Sequence, residues 1–163
     1  METWFESSGN FSPAVLWSSN QEGGTNLPEI RVLLNNRNLW ADANGGGKLQ
    51  IEAWDGSSYH TVVTGTHYYG AGPHQLDVVW DGPSSTMTVY GDGVSEATLS
   101  HSFSSPPDLL GNEGFFSTLG NHGSFSNDHS TSDGLLGWMQ ATSIFDSALS
   151  QSDIQSNFNA ATP

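Results

Sequence analysis

Short runs of alternating apolar and polar residues, separated by clusters of Gly, Asn, Asp, Pro and Ser, fill almost the whole sequence. Alternation with a period of two is the pattern of half-buried β-strands, and many such runs between turn residues are typical of sandwiches and barrels. Helical periodicity is nearly absent before the end of the chain. The pattern predicts about eleven strands, near residues 2–6, 13–18, 29–35, 38–43, 48–54, 59–64, 75–81, 86–91, 94–100, 114–120 and 134–146.

The clearest hairpin lies between residues 74 and 90. Apolar residues alternate along both of its strands, and residues 81–85 (DGPSS) form its turn. The return strand runs into Gly91-Asp92-Gly93, whose glycines can take the positive φ that a tight reversal into the next strand requires.

One helix is predicted, at the end of the chain. Ser150 can cap it and Asp153 stands at its third position, while Leu149 precedes Ile154 at the spacing of a hydrophobic staple. Ile154 and Phe158 are four residues apart and would dock the helix on the sandwich.

Several segments in this order resemble one superfamily: residues 75–82 (QLDVVWDG), 89–94 (VYGDGV), 116–120 (FSTLG) and 137–150 (GWMQATSIFDSALS). They are similar to the laminin-G-like and pentraxin-like domains of the concanavalin-A-like lectin and glucanase superfamily. The resemblance implies an all-β fold, a two-sheet antiparallel jelly-roll sandwich with one short C-terminal helix, as a single domain over residues 1–163. It also implies binding of calcium, glycans or protein partners at the rim of the sandwich, and a role in adhesion.

The charge balance limits the kinds of partner that the chain can bind. The sequence has seventeen acidic residues and three basic ones, Arg31, Arg37 and Lys48, which gives a formal net charge of -14. Nucleic acid is therefore excluded, because phosphate binding rests on clustered Lys and Arg. The same balance suits a marine or halophilic protein, or an ordinary acidic secreted domain. No apolar run approaches the ~20 residues of a membrane helix, so no membrane insertion is expected.

Catalysis is not expected. A retaining glucanase needs two carboxylates about 5 Å apart in one groove. Glu52 and Asp55 fall on opposite faces of their strand under a period of two. Asp77 and Asp81 share one strand face, and for this pair a solvated surface is the favoured interpretation over a catalytic one.

The polar loop at residues 121–133 is the candidate metal site. A calcium ion takes six to eight oxygen ligands from carboxylates, amides and carbonyls, all of which this loop offers. The alternative is a loop whose Asx turns satisfy its own backbone. The predicted ligands are Asn121, Asn127, Asp128 and Asp133.

Glycan binding needs an aromatic ring beneath a pyranose and polar groups that contact its hydroxyls. Packing in the core is the alternative for each aromatic residue. The candidate ligand-binding residues are Trp40, Trp54, Tyr59, Tyr68 and Tyr69. Four other tryptophans lie in strong strand patterns and are predicted to be core: Trp4, Trp17, Trp80 and Trp138.

These features together predict a non-catalytic module that binds a glycan or a cell-surface receptor, with calcium as a candidate cofactor. The expected location is extracellular, on the surface of a cell or a virion, where neighbouring virion or adhesin subunits would be further partners. The alternatives are a structural domain that decorates a capsid or acts as a spacer, and a glycoside hydrolase or lyase active on polysaccharides.

Overall fold

The computed structural model describes residues 1–7, 14–21, 30–34, 47–54, 58–66, 68, 72–101, 115–119, 135 and 137–161. Within these ranges the elements are β1 (Glu2–Ser7), β2 (Ala14–Gln21), β3 (Ile30–Leu34), β4 (Leu49–Trp54), β5 (Tyr59–Val63), β6 (His74–Asp81), β7 (Thr86–Gly91), β8 (Val94–Ser100), β9 (Phe115–Leu119), β10 (Gly137–Ser143) and α1 (Gln151–Ala161).

The strands form two antiparallel sheets. Sheet A has the order β10-β1-β6-β7-β8, and sheet B has the order β5-β4-β3-β2-β9. The first strand therefore pairs with the last one and with β6, which are far from it in sequence. This arrangement confirms the predicted all-β, two-sheet jelly-roll sandwich with one short C-terminal helix.

The core lies between the inner faces of the two sheets. Buried and half-buried residues alternate along β1 and β7 of sheet A, and alternate residues of β4 in sheet B are fully buried. The buried apolar side chains are Met1, Phe5, Leu16, Trp17, Ile30, Val32, Leu34, Leu49, Ile51, Ala53, Tyr68, Leu76, Val78, Met87 and Val89. Of the tryptophans predicted to be core, Trp17 is buried there and Trp80 packs against the cluster.

The closing strand is shorter than predicted. It ends at Ser143, which pairs with Glu2, the first residue of β1. Beyond that position β1 offers no further backbone partner, so the chain leaves the sheet. Residues 144–150 then run without regular structure to α1, and Ile144 and Phe145 are exposed.

The reversal between β7 and β8 forms where the sequence predicts it. Asp92 and Gly93 both have positive φ, 51° and 78°. Two successive residues of positive φ are the hallmark of the tight hairpin turn whose twist matches that of its strands. The Asp92 carboxylate also accepts a hydrogen bond from the Gln75 main-chain nitrogen at 2.9 Å, which ties the turn to β6.

The C-terminal helix begins with the predicted cap. The Asp153 main-chain nitrogen donates to the Ser150 hydroxyl at 3.2 Å, and the Ser150 main-chain nitrogen donates to the Asp153 carboxylate at 3.1 Å. The hydrogen bonds from Ser150 lower the pKa of Asp153. The predicted docking is also confirmed, since Ile154 is buried and the Phe158 ring stacks on Trp4 with ring centroids 5.9 Å apart.

Replacing Ser150 with Ala is expected to lower the free energy of unfolding by about 1 kcal/mol, because the hydroxyl that accepts from the Asp153 nitrogen and donates to the Asp153 carboxylate is lost. Urea denaturation of the two proteins measures the difference. The matched control is Ser156→Ala in the same helix, where the hydroxyl donates only to the Ser152 carbonyl, and where Ala is the better helix former. Equal losses in the two variants would contradict the capping role.

Other predictions lie outside the described residues. These are the strand near 38–43 and the polar loop at 121–133. Among the described residues, no helix is long and apolar enough to span a membrane.

Candidate functional site

The structure describes three of the five aromatic residues that were predicted to bind a ligand. Tyr59 is the first residue of β5 and is 43% exposed. Trp54 ends β4 and is paired in register with Tyr59. Tyr68 is described and buried, whereas Trp40 and Tyr69 lie outside the described residues.

Polar side chains accompany Tyr59 on the outer face of sheet B. Leu49, Ile51 and Ala53 of β4 point into the core, so Gln50 and Glu52 lie on the opposite, outer face. The Gln50 side-chain nitrogen donates to Glu52 Oε1 at 2.6 Å. We name this surface the β4–β5 face and define it by Gln50, Glu52, Tyr59 and Thr61.

The register explains why these residues meet. Glu52 pairs with Thr61, and Trp54 pairs with Tyr59 two positions along the same ladder. Directly opposed residues of an antiparallel pair share a face, with Cβ atoms about 5 Å apart. Arg31 of β3 pairs with Glu52 from the other side. Gln50 is buried, at 5% exposure, so the β4–β5 face presents the exposed phenol ring of Tyr59 and the half-buried side chain of Glu52. These two groups suit stacking on a sugar and accepting hydrogen bonds from its hydroxyls.

Tyr68 has a different position from the one predicted for it. Its side chain is 1% exposed, and its ring meets His74 edge-on with centroids 5.2 Å apart. Burial raises the pKa of its hydroxyl far above the ordinary value. Because the ring is enclosed by the core, Tyr68 packs the sandwich and offers no surface to a sugar. The prediction that Tyr68 forms an exposed plate is wrong, although the residue does lie outside the strands.

Trp138 was predicted to be core, and that prediction is wrong. It is 40% exposed, and its indole nitrogen donates to the Glu6 carboxylate at 2.9 Å. The partners of β10 place it on the outer face, because Trp138 is opposite Glu6 in the ladder with β1. Alternation along a strand shows which residues share a face, and the tertiary structure decides which face is covered.

Asp77 was interpreted as part of a solvated strand face, and the structure corrects this as well. It is 1% exposed and lies on the outer face of sheet A, opposite Glu2. Burial, reinforced by the charge of Glu2, raises the pKa of Asp77 to about 7. Asp81, four residues along the same strand, instead accepts a hydrogen bond from the Ser84 hydroxyl at 2.6 Å.

The segment that precedes α1 covers Asp77. A cavity of about 140 Å³ lies between this segment and β6, and both Asp77 and Asp146 line it. Neither carboxylate oxygen of Asp77 has a hydrogen-bond partner among the described residues. The sequence contains no signal for this arrangement, because the covering segment lies about seventy residues away.

The calcium prediction lies outside the described residues, since Asn121, Asn127, Asp128 and Asp133 are all in the 121–133 loop. In the part of the chain that the structure describes, no group of three or more His, Cys, Asp or Glu residues could hold a metal ion.

Comparison by sequence finds no relative: no family model matches the chain. No curated protein matches it either.

Comparison by structure finds several similar folds. A heptameric SAP-like pentraxin from Limulus polyphemus aligns with 94% of this chain and 66% of its own, at a TM-score of 0.60 and 13% identity. The CBM40 of the Ruminococcus gnavus IT-sialidase, bound to α2,3 sialyllactose, aligns with 96% of this chain and 80% of its own length, at a TM-score of 0.63 and 16% identity. Domains LG4-5 of the mouse laminin α1 chain align with 93% of this chain and 36% of their own length, at a TM-score of 0.61 and 10% identity.

At these identities the likeness is one of fold. The chain therefore has the concanavalin-A-like jelly-roll fold of the pentraxin, laminin G-like and CBM40 modules.

Proposed function

We propose that the chain is a non-catalytic recognition module that binds a glycan on the β4–β5 face. The observation that carries the proposal is the exposed Tyr59 ring, in register with Trp54 and beside the hydrogen-bonded Gln50–Glu52 pair. An aromatic ring supplies a flat apolar surface for a pyranose, and the Glu52 carboxylate accepts hydrogen bonds from its hydroxyls. The buried Gln50 amide holds this carboxylate in place through its own hydrogen bond.

The fold comparison supports a glycan as the ligand. The Ruminococcus gnavus CBM40 carries sialyllactose in its crystal structure, and its alignment covers nearly all of this chain. An extracellular location, on the surface of a cell or a virion, belongs to the same proposal, because glycans of this kind are displayed there. Binding of calcium by the 121–133 loop is a separate part of the proposal.

A glycan array containing sialylated and neutral oligosaccharides, probed with and without calcium, tests the proposal. We expect binding to at least one glycan class. A response that requires calcium would support the loop as a metal site. Silence on every glycan, together with ordered oligomers in solution, would favour the structural role instead.

Replacing Tyr59 with Ala is expected to weaken binding of the glycan found on the array about tenfold, or ~1.4 kcal/mol, because the stacking surface is removed. Calorimetric titration measures the change. Tyr59 is half exposed at the end of a strand, so its loss should leave the fold intact.

The matched control for Tyr59→Ala is Val94→Ala. Val94 is 54% exposed and begins β8 in sheet A, whereas the β4–β5 face belongs to sheet B. Its replacement should leave the affinity unchanged. Glu52→Gln is a second test variant, because it keeps the shape of the β4–β5 face and removes one charged hydrogen-bond acceptor. Unchanged affinity in both Tyr59→Ala and Glu52→Gln would place the binding site elsewhere.

A further inference from the structure

A second exposed aromatic ring lies on the sheet opposite the β4–β5 face. Trp138 of β10 is 40% exposed. Strand β10 stands first in the strand order of sheet A, whereas the β4–β5 face belongs to sheet B. Tryptophan is highly buried on average, and it is enriched among the residues that dominate binding. The surface around Trp138 is therefore a candidate binding site separate from the first.

The register of β1 and β10 brings four side chains together around this ring. Glu6 is directly opposite Trp138, and Trp4 is directly opposite Gln140. Met139, which stands between Trp138 and Gln140, packs against the core, so its two neighbours and their partners lie on the outer face of sheet A. We name this surface the β1–β10 face and define it by Trp4, Glu6, Trp138 and Gln140.

A hydrogen bond orients the Trp138 ring. Its indole nitrogen donates to Glu6 Oε2 at 2.9 Å. The N–H bond of an indole lies in the plane of the ring, so this hydrogen bond uses the edge of the ring and not its flat faces. Because an oriented ring has less conformational freedom to lose, a ligand that stacks on it binds at a smaller entropic cost.

Polar groups accompany the ring on the same face. Glu6 is half-buried and Gln140 is exposed. A carboxylate has about four lone-pair sites on its two oxygens, so Glu6 can accept hydrogen bonds in addition to the one from the indole. The Gln140 amide can both donate and accept. An aromatic plane beside a carboxylate and an amide suits stacking on a sugar and hydrogen bonding to its hydroxyls.

Trp4 extends the aromatic surface toward the C-terminal helix. Its side chain is half-buried, and the Phe158 ring of α1 stacks on it with centroids 5.9 Å apart and planes 6° from parallel. At the other end of the helix, the Gln151 side-chain nitrogen donates to the Gly93 carbonyl at 2.9 Å. Helix α1 therefore runs from β1 toward the β7–β8 turn and bounds the β1–β10 face on the side away from β10.

The charge of sheet A disfavours acidic sugars at this face. The described parts of sheet A and of α1 contain no Arg or Lys. Arg31 lies in β3 and Lys48 directly precedes β4, so both belong to the sheet B side. An anionic sugar on Trp138 would meet the Glu6 carboxylate, and the juxtaposition of like charges opposes binding.

We propose that the β1–β10 face binds a neutral hexose of an oligosaccharide, which stacks on Trp138 and forms hydrogen bonds with Glu6 and Gln140. The site is additional to the glycan site on the β4–β5 face. Because the two faces belong to different sheets, one chain could hold two glycans at once. Two linked sites bind a surface that displays many glycans more tightly than either site alone.

Titration with the neutral disaccharides lactose, cellobiose and maltose tests the proposal. NMR chemical shifts of the Trp138 indole and of the β1 and β10 amides report binding at this face. A dissociation constant on the order of 1 mM is expected for at least one disaccharide, since a single stacking site contacts few sugar atoms. Trp138→Ala identifies the indole signal and should weaken binding about tenfold or more. No response at this face to any of the three would overturn the proposal.

The matched control for Trp138→Ala is Ile144→Ala. Ile144 is 41% exposed, nearly the same as Trp138, and lies beyond the end of β10. Its replacement should leave the affinity unchanged. Gln140→Ala keeps every aromatic ring and should weaken binding, because one hydrogen-bonding group is lost. Melting curves verify that the variants fold. An unchanged affinity in Trp138→Ala, or in Gln140→Ala if the former does not fold, would overturn the proposal.

An acidic sugar tests the charge argument. 3′-Sialyllactose is lactose with one added acidic residue, and it should bind this face more weakly than the best neutral disaccharide. Glu6→Gln keeps an oxygen acceptor for the indole nitrogen and removes the charge, so it should reduce the difference. Tighter binding of 3′-sialyllactose than of every neutral disaccharide would contradict the neutral class.

Tyr59→Ala separates this proposal from the proposed function. It removes the ring of the β4–β5 face and should leave the response at Trp138 unchanged. Loss of the Trp138 response in this variant would indicate one shared site and would overturn the second one. A glycan response at Tyr59 alone supports the proposed function and contradicts this inference, whereas a response at Trp138 alone does the reverse.

Discussion

Replacing Phe5 with Ala is expected to lower the free energy of unfolding by about 3–5 kcal/mol, the range for truncation of a buried aromatic side chain. Phe5 is 0% exposed and lies in β1, between β10 and β6 in sheet A. Its ring contacts His74 with centroids 5.9 Å apart. Truncation leaves a cavity at the centre of the sandwich that the surrounding strands cannot close. Equilibrium urea denaturation measures the loss.

Two further variants make the Phe5 result specific. Phe5→Leu keeps most of the apolar volume and should cost clearly less than Phe5→Ala. Val94→Ala removes an exposed apolar side chain from β8 and should change stability by less than about 0.5 kcal/mol. A similar effect for Phe5→Ala and Val94→Ala would show that Phe5 is not in the core.

Replacing Gly91 with Ala is the second large effect, with an expected loss of about 3 kcal/mol, at the upper end for overpacking. A Cβ at Gly91 would overlap the phenol ring of Tyr68. The ring has no free space to move into, because Tyr68 is 1% exposed and its ring meets that of His74 edge-on. The glycine is therefore needed for close approach.

The matched control for Gly91→Ala is Gly65→Ala, where the nearest atom to a new Cβ is Glu96 Oε2 at 4.0 Å. This variant should have nearly normal stability. A double-mutant cycle with Tyr68→Leu identifies the cause, since a smaller side chain leaves room for the methyl group. The two substitutions should then cost less together than the sum of their separate effects. Strict additivity would contradict the overlap.

The features predicted correctly from the sequence are set by local interactions. The strand positions follow from alternation, since the pleat places successive residues on opposite faces. The turn at Asp92 and Gly93 and the Ser150–Asp153 cap involve residues within three positions of each other. These structures can be predicted from a few consecutive residues, because their interactions do not involve the rest of the chain.

The predictions that failed concern burial. Alternation places Asp77 and Asp81 on one face of β6, and the structure agrees. The segment before α1 then covers Asp77, while Asp81 remains at the turn. Tyr68 shows the reverse case, a residue between strands whose ring enters the core. In both cases the covering residues are distant in sequence.

Part of the candidate glycan site could be anticipated. The aromatic residues Trp54 and Tyr59 were both predicted to bind a ligand, and the β4–β5 register pairs them directly. Gln50 and Glu52 precede Trp54 at intervals of two, so the same alternation already places the three on one face of their strand. Sequence periodicity thus assigns residues to a shared face.

The sequence by itself determined the strand pattern, the turn after β7 and the capped helix, because each depends on neighbouring residues, and the number and order of these elements determined the fold class. Only the tertiary structure decided which face of each strand is buried, which strand pairs with β1, and that Asp77 lies in a cavity. Those outcomes depend on contacts between distant segments, such as β10 against β1. Hydrophobic burial brings apolar residues together whatever their separation in the sequence.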